Sequence, residues 1–131
     1  MQLVSGQKIA LNQLIQNDKK FTLRVQFKAS FDVDISSFGV GQKDKLFNDD
    51  YMTFYNQLKT PKCEVQYSQQ GNLNLFTFDL NKIDVALLPR FVICATVAND
   101  QATMQNIQSG QIDLVNQQGE VLANYQLNPS N

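Results

Sequence analysis

FDVDISSFGVGQKDKLFNDDYMTFYN, residues 31–56, opens as an apolar run interrupted by aspartates at alternate positions and closes on an Asp-Asp pair leading into aromatics. Aspartate is depleted in strands, so Asp32 and Asp34 within such a run call for an explanation. Residues i and i+2 of a strand project from one face. Phe31, Val33 and Ile35 therefore point to a core, while Asp32 and Asp34 stand together on the opposite side. Two neighbouring like charges repel, and a hard cation relieves that. Asp32, Asp34, Asp44, Asp49 and Asp50 are five of the chain's 12 acidic residues. The stretch reads either as a solvated acidic sheet face or as a cation site.

The same period of two recurs outward in both directions. Phe21–Phe27 alternates cleanly, with its apolar residues at odd positions, after a turn at Asn17–Lys20. Gln42–Lys45 reads as a loop and Tyr51–Asn56 as a short aromatic strand. Pro61 then stops pairing. Cys63–Tyr67 alternates again, and Ser68–Asn72 has turn chemistry. Leu73–Leu80 is a further strand, with Leu73, Leu75 and either flanking phenylalanine placed to reach a core. Asn81–Pro89 has room for one helical turn. The apolar run Phe91–Val97 suits a strand buried on both faces. Asn99–Gly110 is a polar connection, and Gln111–Val115, Asn116–Gly119 and Val121–Leu127 form a C-terminal hairpin. About eight or nine short strands with little helix predict an all-β fold, an antiparallel two-sheet β-sandwich.

At 131 residues, with 43% apolar and 18% charged residues, the chain is most simply a single domain, 1–131, with a real core. A net charge of −1 argues against a broad electrostatic grip on nucleic acid or anionic membrane. Lys8, Lys19, Lys20, Arg24 and Lys28 crowd the first 30 residues, and no Lys or Arg follows Arg90. Solvated surface is the simpler reading of that asymmetry, a partner-orienting field the other. There is no histidine, which excludes Ser-His and Cys-His nucleophile pairs and His-ligated zinc. Cys63 and Cys94 sit singly in apparent strands and read as buried free thiols. The N-terminal apolar segment is broken by Ser5, Gly6, Gln7 and Lys8, too early for a signal peptide. No run approaches membrane-spanning length, so a cytoplasmic protein is expected.

Three segments together carry a resemblance: FDVDIS at 31–36, NDDYMTFYNQLKTP at 48–61, and FTFDL (76–80) taken with FVICATV (91–97) and TMQNIQSGQIDLV (103–115). The chain resembles the TerD-type domain of bacterial tellurium-resistance and stress proteins, from about Gly6 to Leu127. TMQNIQSG and FYNQ look closer to the divergent TerA-like branch. The resemblance implies a β-sandwich that holds calcium on acidic loops in calcium-binding members, and a link to resistance against tellurite and other stresses. Asp32 and Asp34 match the family's Asp-x-Asp. Asp49 and Asp50 match the first two residues of its acidic triplet, Tyr51 replaces the third, and Phe54, Tyr55 and Asn56 match the Phe-Tyr-Asn that follows. The candidate calcium ligands are thus Asp32, Asp34, Asp49, Asp50 and Asn56.

The departures bear on that site. Calcium-binding members carry a long acidic loop where this chain has only Ser68–Asn72, without a carboxylate, and calcium wants six to eight oxygen ligands. The Gly-Trp-Asp usually preceding the Asp-x-Asp strand is also missing. The chain stops before strands that members usually add, so a truncated form or one domain of a longer polypeptide is expected. Asp49 and Asp50 can serve one site only from a turn, because neighbours in a strand point oppositely.

Other chemistries are weaker. Paired carboxylates suit general acid/base work, but no second catalytic motif accompanies these, and no enzyme is expected. Gly39-x-Gly41 lacks the third glycine and the helix of a phosphate loop. Tyr51, Phe54, Tyr55 and Tyr67 offer a stacking platform for sugars or bases, with core packing the better explanation of Phe54 and Tyr55. The leading expectation is a non-enzymatic stress-response or tellurium-resistance module. It associates with other proteins of a cytoplasmic or membrane-proximal complex, without membrane insertion and without nucleic acid. A calcium sensor and a glycan- or nucleic-acid-binding sandwich are the alternatives.

Overall fold

A computed structural model describes residues 19–29, 33–41, 48–97 and 107–127. Phe31, Asp32, the expected Gln42–Lys45 loop and most of the expected Asn99–Gly110 connection lie outside them. Eight strands follow in chain order: β1 (Lys20–Ala29), β2 (Val33–Val40), β3 (Met52–Thr53), β4 (Val65–Gln70), β5 (Leu73–Asp79), β6 (Arg90–Val97), β7 (Ile107–Asn116) and β8 (Val121–Leu127). They form a five-stranded sheet ordered β4-β5-β1-β7-β8 and a three-stranded sheet ordered β3-β2-β6. Every pairing is antiparallel. The fold is the all-β sandwich that the alternation predicts.

The period of two assigns the core. Phe21 and Val25 of β1, Ile35 of β2, Val65 and Tyr67 of β4, Phe76 and Phe78 of β5, Leu114 of β7 and Ala123 of β8 form one buried cluster. Phe78 stacks on Phe21 with ring centroids 4.9 Å apart and meets Phe91 of the smaller sheet edge-on at 5.3 Å. Burying each such ring contributes roughly 1.5–3 kcal/mol, so these contacts clamp the two sheets together. On β5 the phenylalanines and Asn74 take the inner face. Leu73 and Leu75 are left half-buried on the other, so of the residues expected inside, the phenylalanines alone go in.

The structure corrects several local expectations. Residues 51–56 are not a strand of six. Asp49–Tyr51 is a 3₁₀ turn, β3 has only two residues, and a tight loop follows, closed by paired backbone bonds between Phe54 and Gln57. The cause is side-chain competition for the backbone: Asn48 and Gln57 bond the main chain locally, and such bonds divert a segment from a ladder. Cys63 is in no strand either. It sits at φ 58 in the turn before β4. β4 runs on to Gln70, because only Gly71 and Asn72 are needed to turn into β5, with Gly71 at φ 61. β6 is an edge strand, with Val92 45% exposed, so it is not buried on both faces. Within 81–89 the single helical turn that the sequence has room for is present, closed by Leu88 N–H donating to Asp84 O at 2.8 Å, and no helix extends it.

Candidate functional site

Asp34 lies where the alternation puts it. Val33 and Ile35 pack on the core and Asp34 is exposed on the outer face of β2. Its charge, after burial, helps push the Tyr67 hydroxyl above its ordinary value. Asp32 lies outside the described residues.

The second acidic pair is built by its neighbours. Asn48 caps the 3₁₀ turn: its Oδ1 accepts from Asp50 N–H at 2.8 Å and its carbonyl from Tyr51 N–H at 3.0 Å. The Gln57 amide then reaches back, donating to Asp49 O at 2.8 Å and to Met52 O. Asp49 and Asp50 therefore do lie in a turn, and both are exposed, as is Asn56 in the loop beyond.

Tyr51, where the family pattern has its third acid, turns inward. Its Cβ abuts Gly39, and its hydroxyl donates to the Glu64 carboxylate. Glu64 is 2% exposed. Burial alone would raise its carboxyl. Bonds from its own N–H, from Lys62 N–H, from the Thr60 hydroxyl and from the Tyr51 hydroxyl outweigh that and hold it below the ordinary carboxylate range. The Lys62 and Thr60 bonds measure 2.7 and 2.9 Å. Neither Glu64 nor Gln57 stands out in the sequence as a site residue. A lone glutamate flanked by Cys63 and Val65 in an apolar alternation, four residues after a threonine, was the available signal for the first. Gln57 offered none, since nothing in the sequence shows that its amide folds back.

Of the candidate calcium ligands, Asp34, Asp49, Asp50 and Asn56 are described and exposed, and Asp32 lies outside the described residues. Among the described residues no group of three or more Cys, Asp or Glu is arranged to hold a metal ion. The Asp49 carbonyl, an oxygen of the kind calcium takes, already accepts from Met52 N–H and from Gln57. The described donors do not by themselves make up a calcium site.

The four aromatics do not form one platform. Tyr67 is buried and bonds Asn74 Oδ1 inside the sandwich, while Tyr51 serves Glu64. Phe54 and Tyr55 meet edge-on at 5.3 Å, yet Tyr55 is 60% exposed, so core packing accounts for neither that ring nor Leu58, 56% exposed. Asp49, Asp50, Tyr55 and Leu58 thus share one short, braced surface segment. Cys63 and Cys94 are free but only half-buried, where full burial was expected.

No helix among the described residues is long and apolar enough to cross a membrane. A search of curated proteins finds no match. The family model of the TerD domain matches residues 1–131, the entire sequence given. With the sandwich and the acidic turn in place, the chain belongs to the TerD domain family.

Proposed function

We propose that this TerD domain is a non-enzymatic module of a tellurium-resistance or stress response, acting in the cytoplasm by binding other proteins of a complex that assembles in solution or beside a membrane. One observation carries the reading. Asp49, Asp50, Tyr55 and Leu58 are exposed together on a segment whose backbone is fixed by Asn48, Gln57 and the Tyr51–Glu64 bond. Tyrosine is enriched at protein interfaces, and a segment already ordered loses little entropy on association. A basic partner segment with an apolar residue complements this surface. Glu64, the most buried carboxylate among the described residues, is engaged by three donors of its own turn and by the Tyr51 hydroxyl, which leaves it a structural task.

The test replaces the surface and leaves the braces alone. Asp49→Asn, Asp50→Asn and Tyr55→Ala, combined in the full chain, are expected to melt like the parent. In a strain whose tellurite resistance depends on this protein, they are expected to lose protection, together with the crosslinked partner that the parent retains. Full protection by the triple variant sinks the proposal.

A further inference from the structure

We infer that the acidic turn is held by an internal lock, in which the Gln57 amide and the buried Glu64 carboxylate supply the ordering contacts that a bound cation gives to an acidic loop. The lock is a conformational device of the fold, and it holds whether or not the turn receives a partner.

Two anchors act on the turn. From the chain's own next loop, Gln57 Nε2 donates to the carbonyls of Asp49 and Met52, which flank the turn. An amide N–H carries the partial positive charge that such carbonyls otherwise find in water or a metal ion. The backbone pair between Phe54 and Gln57, at 3.0 Å each way, fixes where that amide stands. From the core side, Tyr51 is seated against Gly39 and donates to Glu64. Glu64 is itself immobilised by Thr60 and Lys62. The third acid of the family pattern has given way to a tyrosine, and its hydroxyl finds a carboxylate of the same chain. The carboxylate that receives Tyr51 is buried and bonded, while Asp49 and Asp50 stay exposed in the turn.

Amide hydrogen exchange of the full chain tests the lock. The Tyr51 and Met52 N–H groups, bonded to Asn48 O and Asp49 O, report the turn, and the Gly119 N–H, bonded to Asn116 O in the turn between β7 and β8, is the control at a second turn. In the parent, exchange at Tyr51 and Met52 is expected to be the same in EDTA and in millimolar calcium. Tyr51→Phe and Gln57→Ala are each expected to speed it about tenfold, as loss of one hydrogen bond implies, with Gly119 unchanged. Calcium-dependent slowing in the parent overturns the inference, and so do two variants that exchange like the parent. Partner binding plays no part in this readout, so it fails separately from the proposed function.

Discussion

Tyr51 donates its hydroxyl to the Glu64 carboxylate, and that contact ties an exposed acidic turn to the buried start of β4. The folded carboxyl is held below its ordinary 4.5. A depressed carboxyl contributes stability that is fully present above the unfolded value and is lost as pH falls through the folded one. Unfolding by urea is therefore expected to become easier as pH drops below that ordinary value. Glu64→Gln is expected to be less stable by about 1–3 kcal/mol at neutral pH, because the amide cannot accept all four donors. Its stability is also expected to depend less steeply on pH in the acid range. Parallel pH curves for parent and variant remove Glu64 as the titrating group.

Gly39 is where the lock presses on the sheet. A Cβ there would lie 3.0 Å from Tyr51 Cβ, 3.1 Å from Leu88 Cδ2 and 3.2 Å from Phe91 Cε1. Tyr51 Cβ is fixed by the turn backbone and cannot give way as a side-chain tip can. Gly39→Ala is expected to destabilise by about 1–3 kcal/mol, measured by chemical denaturation. An unchanged midpoint shows that the notch has slack.

The sandwich was legible because its signal is local. Phe21, Val25, Ile35 and Val65 each sit on the face their own strand's alternation selects, whereas β5 offered both its leucines and its phenylalanines and only the fold chose Phe76 and Phe78. The candidate site was legible only in part. Asp34 could be placed by strand parity, and Asp49 and Asp50 by the family pattern. What shapes their turn is side chain to main chain: Asn48 from within, Gln57 from seven or eight residues on, and Glu64 from beyond another turn. Such bonds leave no period in the sequence. They made Tyr51–Asn56 look like a strand when its aromatics serve three separate tasks.

Cys63 holds φ 58 without the freedom of glycine. A side chain in this left-handed region costs roughly 1–2 kcal/mol, most for β-branched residues. Cys63 already bears that cost, so Cys63→Val is expected to destabilise only by the further penalty of a β-branched side chain. Cys63→Gly is expected to stay within about 1 kcal/mol of the parent, since relief of strain is offset by the entropy of a more flexible unfolded chain. Paired thermal melts decide it, and equal losses in both variants would place the cost in the lost thiol contacts.

Ser37 and Thr53 face one another across β2 and β3 and are completely buried, and neither hydroxyl has a hydrogen-bond partner among the described residues. A buried hydroxyl left unbonded is a cost that an apolar group of the same shape removes. Thr53→Val keeps the shape and is expected to raise stability by about 1 kcal/mol, read as a higher urea midpoint at unchanged slope. Ser37→Ala should gain less, because it also leaves a small void. The double variant then discriminates. If each hydroxyl is unbonded in the parent, neither single change strands the other, and the two gains add to within about 0.5 kcal/mol. If the hydroxyls bond each other, each single change orphans its neighbour and lowers stability, while the double change recovers it.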